Sequence, residues 1–485
     1  MNGQAMQMPF AGGPGLPLGS YDPALLAKAL TVNYGTDVAT LTGGAALRVQ
    51  SLDRMLYDTI WADPHIKAFK LLKTTPTEST VDEWVTRAAY GSPWGAVAGE
   101  ADNPPSTVAE LQRMVGFVKY YRTYREVSHP ATITRNIVAA IAEEEQAASL
   151  YLAGCIERDI FFGDSSVIPE QFDGLLPLIL ANGNERAIID RQGQPLNERE
   201  IILTLAAEIG AKAGVPTHMF VDPYSQSDLD RTMMDSERFV LPQRSADNQY
   251  SVDFGIGAIR TSFGTLNIVN DIFLAPERGW FTDTEPLDRA PTSSRGGDSN
   301  NPAPAAPTKV KAAAAGTKGL MPAGDYYYKV SSVNKNGESA AKAAEAVVQP
   351  SAGEKVTLTI TSDDSSITGF RIYRSAVDAA NDADCRFLCQ CARGTSGTDT
   401  FVDDGSWVPG TTCAFVWDTH PGDPAVDFRQ LLPMMKLELA IVKPAIPWLQ
   451  MLYGYLRVTR PLRLGLVKNI LPTPIAEAGW NPLGV

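Results

Sequence analysis

Residues 115–164 read VGFVKYYRTYREVSHPATITRNIVAAIAEEEQAASLYLAGCIERDIFFGD, and this stretch decides the fold because a strand pattern changes directly into a helical one. Its first part alternates with a period of two, as a β-strand does. One face carries Val115, Phe117, Lys119, Tyr121, Thr123, Arg125 and Val127, and the other carries Val118, Tyr120, Arg122 and Tyr124. Both faces mix aromatic and charged side chains, so neither is a simple core face.

This arm, residues 111–127, has an upstream counterpart in residues 69–87, and the two predict a long β-hairpin. They are joined by Gly91-Ser92-Pro93-Trp94-Gly95 and by a loop that ends in Asn103-Pro104-Pro105. A two-stranded hairpin is marginal by itself in water. The sequence therefore predicts that the hairpin lies on another copy of the same chain.

Residues 132–162 predict a long helix. Apolar side chains recur every four residues, as on one helix face. They are Ile133, Ile137 and Ile141, then Ala148, Leu152, Ile156 and Ile160, displaced by the patch Glu143-Glu144-Glu145. Such a helix is about 45 Å long. Gly163 favours a stop at its C-terminal end.

The following residues predict a compact α/β lobe. Residues 197–213 form a helical pattern that Asn197 can cap, with Glu200 at the capping-box position. A short strand at residues 217–221, a helix start near Ser227 and a strand–turn–strand pattern at residues 261–274 follow.

Residues 307–420 differ in character, because short strands and turn residues alternate there, as in an antiparallel β-sandwich. The predicted strands cover residues 326–330, 355–360, 369–374, 387–392, 400–402 and 413–417. Residues 291–306 have linker composition. Residues 428–485 resume a mixed pattern, with strands at 450–458 and 462–467 that need sheet partners upstream. The sandwich therefore reads as an insertion.

The order of these elements resembles the major capsid proteins of tailed bacteriophages with the Hong Kong 97 phage fold. The resemblance includes the helix opening His129-Pro130-Ala131-Thr132 and the helix exit Phe161-Phe162-Gly163-Asp164, followed by Gln171-Phe172-Asp173-Gly174-Leu175. It covers roughly residues 41–286 and 428–485. The phrases at residues 327–339 and 369–374 resemble fibronectin type III or immunoglobulin-like modules.

The resemblance implies an α+β fold with an extended hairpin loop, a long spine helix and an α/β axial lobe, plus an inserted all-β immunoglobulin-like sandwich. The expected domains are an N-terminal arm (1–62), the hairpin loop (63–128), peripheral and axial domains (129–290 and 428–485), a linker (291–306) and the sandwich (307–420). Tethered by linkers, the sandwich is expected to stand off the outer surface.

The function implied is structural: self-assembly into an icosahedral head shell that encloses the double-stranded DNA genome. Expected partners are the chain itself in hexamers and pentamers, a separate scaffolding protein, a portal, minor or decoration proteins, and DNA held without sequence-specific contact. The expected location is the virion capsid, after assembly in the host cytoplasm, with no membrane partner. If relatives lose an N-terminal segment to a maturation protease, only residues 1–20 are expected to be expendable here.

Three alternatives remain open. One is an encapsulin-like compartment, which would differ in its cargo. A second is a sugar-binding or adhesion protein acting through the sandwich, in which Tyr326–Tyr328 and Trp417 would line an exposed groove. A third is a tail or baseplate component.

Composition is typical of a folded globular protein and does not exclude a DNA container. The 485 residues are 44% hydrophobic and 20% charged, and 42 Lys+Arg against 55 Asp+Glu give a net charge of −13. An acidic chain is not drawn to nucleic acid by its overall field. The N-terminus shows no signal-peptide pattern. The most apolar stretch, residues 437–456, is interrupted by Lys443, Pro444 and Pro447 and so predicts no membrane helix.

No catalytic, cofactor or metal site is predicted. The histidines His65, His129, His218 and His420 lack a metal-binding spacing. Cys385, Cys389 and Cys391, with the distant Cys413, predict a buried thiol cluster in the sandwich, with zinc or a disulfide as the alternatives.

Two charged groups invite a functional interpretation. The patch Glu143-Glu144-Glu145 predicts a solvated helix face, because adjacent helical residues point in different directions. The basic set Arg457, Arg460, Arg463 and Lys468 predicts pairing with acidic residues across a subunit interface or exposure to solvent, with DNA contact as the alternative.

Overall fold

The computed structural model describes residues 63–92, 94, 96–101, 103, 106–133, 139–197, 199–236, 243–244, 250–251, 256–275, 287–394, 397–420 and 424–484. The predicted N-terminal arm, residues 1–62, lies outside them.

The helices are α1 (Ala68–Leu71), α2 (His129–Ile133), α3 (Ala140–Phe162), α4 (Leu175–Asn182), α5 (Arg199–Ala211), α6 (Pro223–Ser236) and α7 (Thr473–Glu477). Short 3-10 turns lie at Asp63–His65, Glu185–Ala187, Ile272–Leu274 and Pro461–Arg463.

The strands, in chain order, are β1 (Thr74–Pro76), β2 (Val81–Ala89), β3 (Glu110–Phe117), β4 (Lys119–Ser128), β5 (Ile188–Asp190), β6 (His218–Val221), β7 (Gln243–Arg244), β8 (Tyr250–Ser251), β9 (Ala258–Thr261), β10 (Gly264–Asn270), β11 (Arg295–Gly296), β12 (Lys309–Thr317), β13 (Tyr328–Asn334), β14 (Gly337–Glu338), β15 (Lys342–Ala343), β16 (Glu354–Thr361), β17 (Gly369–Arg374), β18 (Arg386–Ala392), β19 (Thr398–Asp403), β20 (Thr412–Trp417), β21 (Val426–Glu438), β22 (Ala445–Val458) and β23 (Gly465–Ile470).

The chain forms a mixed α+β fold. A four-stranded sheet in the order β1-β21-β22-β4 packs against α3, and a six-stranded sheet in the order β5-β23-β20-β6-β10-β9 forms the α/β lobe. Both sheets contribute to one hydrophobic core around Phe161, Phe415 and Phe428. The C-terminal strands β22 and β23 pair with the upstream strands β4 and β5, as the sequence predicted, and β21 pairs with β1.

Helix α3 confirms half of the predicted apolar stripe. Ala148, Leu152, Ile156 and Ile160 are buried. The helix begins at Ala140 rather than at residue 132, because Ala139 has an extended backbone (φ −62°, ψ 114°) that interrupts the helical path. Ile133 belongs instead to the short α2 and is exposed.

The helix exit depends on two close approaches of backbone to backbone. A Cβ on Gly163 would lie 2.7 Å from the Asp159 carbonyl oxygen, and one on Gly174 would lie 2.5 Å from the same oxygen. The Gly174 N–H also donates to the Gly163 carbonyl at 2.8 Å. The glycines of the exit motif therefore let the chain fold back tightly on the end of α3.

The hairpin is shorter than predicted. Its paired strands are β2 and β3. The first predicted arm also contains α1 and β1, and the second is divided at the buried Val118, after which β4 pairs with β22. Alternation continues through this break, which is why the sequence pattern reads as a single long strand.

Residues 307–403 form most of a β-sandwich. The sheets β11-β14-β13-β17-β18 and β12-β16-β19 share one core, which includes Tyr328, Val330, Leu358, Phe370 and Ile372. The predicted linker is partly structured, since its strand β11 pairs with β14 of the sandwich. Gly296, in β11, and the following Gly297 adopt positive φ.

The predicted sandwich strand at residues 413–417 lies elsewhere. It is part of β20, which sits between β23 and β6 in the six-stranded sheet of the lobe. Every residue of β20 is buried, because both faces of that sheet are covered. A strand covered on both faces shows a continuous apolar run, which does not reveal the sheet to which it belongs.

The segment that carries these two sheets begins and ends beside the lobe. The Thr412 hydroxyl donates to the Leu274 carbonyl oxygen, so the chain leaves and re-enters the lobe at one place. The sandwich also rests on the lobe. The Trp480 indole donates to the Pro409 carbonyl at 3.0 Å, and the Arg386 guanidinium lies 4.2 Å from the Trp480 ring centroid.

Candidate assembly surface

The β2–β3 hairpin exposes an unusual amount of apolar surface. Near its end Tyr90, Trp94 and Val97 are 86%, 82% and 94% exposed. Closer to the body, Val85, Val108, Leu111, Met114, Val115 and Phe117 are also exposed. Contiguous exposed apolar residues on a two-stranded ribbon mark a surface that another molecule covers.

The root of the hairpin is fixed by a buried carboxylate. Arg429 donates to both oxygens of Asp82, from Nε at 2.7 Å and from Nη2 at 2.9 Å. The Tyr455 hydroxyl donates to Asp82 Oδ2 at 2.7 Å. The hydrogen bond from Arg429 is the main cause that holds the pKa of Asp82 below its ordinary value, although burial acts in the opposite direction.

A second carboxylate lies beside the first. Arg457 donates to Asp427 at 2.8 Å and 2.6 Å, and the Thr75 hydroxyl donates to the same carboxylate at 2.8 Å. The Arg457 guanidinium also lies 5.8 Å from the ring centroid of Trp84 in β2. Bidentate pairs have a defined geometry, so these two set the direction in which the hairpin leaves the body.

Gly116 lets β3 approach the sheet closely. A Cβ at this position would lie 2.5 Å from the Tyr455 hydroxyl oxygen, well inside van der Waals contact. Position 116 therefore requires glycine, because the Tyr455 side chain, which also donates to Asp82, leaves no room for a Cβ.

The four-stranded sheet and its tip offer a second apolar surface. Tyr120 and Tyr124 on β4 are half exposed, and the loop between β21 and β22 exposes Ile441 and Val442. Tyr120 packs edge-on against Tyr453 with ring centroids 4.9 Å apart. At the same edge Lys443 donates to Glu126 at 2.7 Å. Aromatic rings with a polar rim are typical of protein–protein interfaces.

The cysteines do not form the predicted four-residue set. Cys413 lies in the lobe, whereas Cys385, Cys389 and Cys391 lie in or beside β18 of the sandwich. All five cysteines are free thiols. Burial raises the pKa of Cys385 and of Cys391 to about 12, so both thiols stay protonated at neutral pH.

The histidines are scattered. His129 begins α2, and His218 Nδ1 lies 3.0 Å from the Thr419 hydroxyl in the lobe, where burial lowers the pKa of His218. His65 ends the 3-10 turn Asp63–His65, and His420 lies in a loop. Within the described ranges, no group of three or more His, Cys, Asp or Glu side chains could hold a metal ion.

Three members of the basic set pair with acidic residues of their own chain, and pairing across a subunit interface stays a prediction. Arg457 binds Asp427, Arg463 lies 3.6 Å from Asp418, and Lys468 lies 3.2 Å from Asp190. Burial lowers the pKa of Arg460, and the neighbouring Arg463 adds to this effect.

The glutamate patch of α3 is partly paired as well. Lys436 donates to Glu145 at 2.5 Å, and Arg125 lies 3.5 Å from Glu144. These pairs join α3 to two strands of the four-stranded sheet, β21 through Lys436 and β4 through Arg125.

The aromatic groove of the adhesion alternative does not form. Tyr326, Tyr328 and Trp417 are buried, and Trp417 lies in the lobe, stacked on Phe161. A separate cleft of about 1230 Å³ lies between α3 and the sandwich. Its charges are matched, since Arg371 lies 3.0 Å from Glu338 and Arg158 lies 3.0 Å from Asp159.

Among the helices that the structure describes, none combines the length and the hydropathy that a bilayer crossing requires.

The model of one protein family, described as "SU10 major capsid protein", matches residues 31–308, which is more than half of this chain. A putative major capsid protein of Enterococcus phage phiEF24C is 24% identical over 91% of this chain and 94% of its own length. A major capsid protein of Staphylococcus phage S25-3 is 22% identical over 92% of this chain and 94% of its own. Among solved structures, a chain from Mycobacterium phage Adephagia aligns with a TM-score of 0.43 and 8% identity, over 87% of this chain and 95% of that one.

Proposed function

The chain belongs to the SU10 major capsid protein family, and as a phage major capsid protein it builds a capsid shell; we propose that this shell is icosahedral and encloses double-stranded DNA. The observation that carries the assembly mechanism is the apolar hairpin, which projects from a root held by Asp82 and Asp427. The hairpin lies over a neighbouring copy, where its apolar side chains leave water.

In a closed shell, many such contacts hold the subunits together at once. Each hairpin contributes a modest area, but a subunit held by several neighbours is held by all of them together. A rigid root supports this arrangement, because a freely hinged hairpin would lose more conformational entropy on docking. The hexamers and pentamers of the shell are the expected unit, and a separate scaffolding protein, a portal and minor or decoration proteins complete the assembly.

The acidic chain suits a container. With a net charge of −13, the protein has no general attraction for the DNA backbone. DNA is held without sequence-specific contact, and the protein has a structural rather than a catalytic role. Assembly takes place in the host cytoplasm.

The sandwich is an immunoglobulin-like module that faces outward. Two antiparallel sheets around a single core, inserted between Leu274 and Thr412, support this reading. An outward position leaves the interior free for the genome. The domain division that follows is a hairpin region (63–128), a capsid body (129–290 and 428–485) joined by β20, and the inserted module.

The hairpin assignment is tested by a double substitution, Leu111→Ser with Phe117→Ser. Both side chains are 60% exposed, so the protomer should keep its melting temperature while shell formation, followed by electron microscopy and light scattering, is lost. Leu320→Ser, at a residue of the sandwich that is 62% exposed, is the matched control and should assemble normally.

Normal shells from the double variant would show that the hairpin has another role. Nuclease-protected double-stranded DNA in particles from infected cells tests the cargo. Packaged enzyme in place of DNA would favour the encapsulin-like alternative.

A further inference from the structure

A buried glutamate joins the spine helix α3 to the segment that leads into the hairpin. Glu157 is fully buried in the C-terminal part of α3. Its Oε1 accepts the backbone N–H groups of Lys67 at 2.7 Å and Ala68 at 2.5 Å, and its Oε2 accepts that of Phe69 at 2.7 Å. These are the amide groups that the start of α1 leaves without helical partners.

A second buried carboxyl contacts the first from the lobe. Asp271 follows β10 and is also fully buried. Its Oδ1 accepts the Phe273 N–H at 2.9 Å. Its Oδ2 receives no N–H or hydroxyl donor from the described residues, and the side chain is instead hydrogen-bonded to Glu157.

Two carboxylates in contact, away from water, cannot both be ionised, so one proton is shared between them. The donors show where it resides. Both oxygens of Glu157 already accept N–H groups, whereas Asp271 Oδ2 has a free position. Asp271 therefore carries the proton and donates it to Glu157. Burial is the main cause that raises the pKa of both groups, and the neighbouring Glu157 raises that of Asp271 further.

The surroundings of the pair are mostly apolar. Lys67, the residue before α1, faces the pair and donates from Nζ to the Asn270 carbonyl at 2.6 Å. Its charge partly opposes the rise in the pKa of Asp271. The other neighbours form a small apolar cluster around Ile66, Ala153 and Phe273, with Leu150 and Met434 packed against it.

We propose that the proton shared by Glu157 and Asp271 locks the hairpin root to the spine helix and the lobe, and that its loss releases the root. Once both groups are charged, their repulsion separates α1 from α3, because Glu157 can no longer lie beside Asp271 while it caps α1. The segment from α1 to β1 then loses its fixed path. The effect on assembly rests on the proposed function, whereas the lock itself does not.

The direction of the pH dependence follows from the raised pKa values. A carboxyl whose pKa is raised by folding stabilises the fold fully below its unfolded-state pKa, and this contribution is lost as the pH rises through its folded-state pKa. The contact that joins the start of α1 to α3 and the lobe is therefore stable in acid and is lost as the pH rises. One proton gives a change of up to about tenfold per pH unit in the opening equilibrium.

The test is hydrogen exchange of the full-length, unassembled chain, followed by mass spectrometry of the peptide that contains residues 66–72 and corrected for the intrinsic pH dependence of exchange. In the unmodified protein, protection of the Lys67, Ala68 and Phe69 amides should fall as the pH rises. Asp271→Asn supplies a permanent N–H donor in place of the proton, so its protection should not change with pH. Glu157→Gln removes an acceptor oxygen and should lower protection at every pH.

Asp222→Asn is the matched control, because Asp222 is another buried carboxyl, whose burial raises its pKa to about 6, and it caps α6 rather than α1. It should leave the pH dependence at residues 66–72 unchanged. Constant protection of the unmodified chain over the whole pH range would overturn the proposal, and so would an Asp271→Asn protein that keeps the pH dependence of the unmodified chain. The first of these outcomes needs no variant, so the test stands even if a variant does not fold.

Discussion

At the scale of single residues, Asp82 decides how firmly the hairpin is held. Asp82→Asn removes the charge that Arg429 binds at two atoms and leaves the guanidinium half-buried without its counterion. We expect a loss of about 2 kcal/mol in the free energy of unfolding, the usual contribution of a charge-assisted hydrogen bond. Urea unfolding of the unassembled protein measures it.

The pH dependence of this pair has a definite sign. The pKa of Asp82 is lowered in the folded chain, so its contribution is present above the unfolded-state pKa and is lost as the pH falls through the folded-state value. The difference in stability between the unmodified protein and Asp82→Asn should therefore shrink in acid. An undiminished difference at low pH would show that charge is not what Asp82 contributes.

Gly116→Ala tests the close approach of β3 to Tyr455. The added methyl group must displace the Tyr455 ring and with it the hydrogen bond to Asp82, so we expect a destabilisation of about 1–3 kcal/mol, as in other overpacked sites. Gly257→Ala is the control, because no atom of the described residues lies within 4 Å of the Cβ that it adds. Equal melting temperatures for the two variants would contradict the assignment.

These residues were beyond the reach of sequence reasoning. Asp82 and Tyr455 are 373 positions apart, and neither belongs to a motif with a fixed spacing. Gly116 interrupts a run of residues that reads as an ordinary strand. Local patterns show which side chains share a face, but a pairing between distant segments needs the fold.

At the scale of elements, the sequence predicts the buried face of the spine helix α3 correctly but places the start of the helix at the wrong residue. Ile133 and Ile156 fit the same four-residue spacing, but Ile156 is fully buried whereas Ile133 is 71% exposed. The spacing was right wherever a sheet covers the helix. The predicted start of the helix is wrong because the spacing of apolar residues gives no sign of the extended backbone at Ala139.

The two isoleucines make a matched pair for mutation. Ile156→Ala leaves a cavity against the aromatic core, and we expect a loss of about 2–5 kcal/mol. Ile133→Ala should change stability by less than about 0.5 kcal/mol, as exposed substitutions do. Thermal unfolding of both variants compares them, and similar losses would favour the longer helix that the sequence predicted.

Strand β20 is the element that most changes the domain boundaries. The sequence assigned residues 413–417 to the sandwich, whereas the strand completes the lobe sheet between β6 and β23. Its all-apolar composition predicted a strand correctly. The identity of its neighbours depends on long-range pairing that composition does not encode.

At the scale of the whole molecule, this boundary decides which deletion is tolerated. Replacing residues 288–409 with a short Gly/Ser linker keeps β20 and joins two points that already lie together at Leu274 and Thr412. We expect a soluble protein with a cooperative unfolding transition that forms shells lacking the module. Replacing residues 308–418 removes a central strand and should give insoluble protein.

Solubility, circular dichroism and electron microscopy distinguish the two deletions. If both gave folded protein, β20 would be dispensable for the lobe, and the sandwich boundary predicted from the sequence, residues 307–420, would be correct. If neither did, the contacts of the sandwich with Trp480 would be integral to the lobe.

The family could be recognised from the order of elements and from the helix-exit motif, because both are properties of contiguous sequence. The glycines of that motif are required by backbone approaches within a short segment, which is why the motif is readable. The assembly surface was only half predictable. Its exposed hairpin follows from alternation, but the partners of Asp82, which are Arg429 and Tyr455, come from strands near the other end of the chain.

Two carboxylate contacts, one at the hairpin root and one at the segment that leads into the hairpin, fail under opposite conditions. The Asp82–Arg429 pair requires an ionised acid, and the Glu157–Asp271 pair requires a retained proton. The root is thus rigid only inside a pH window, with one edge set by each contact. Every subunit of a shell carries the same window, so a particle built from this chain has a tolerance range for acidity that is fixed by the protein and not by its cargo. Moving one edge by substitution should widen or narrow that range without altering the other.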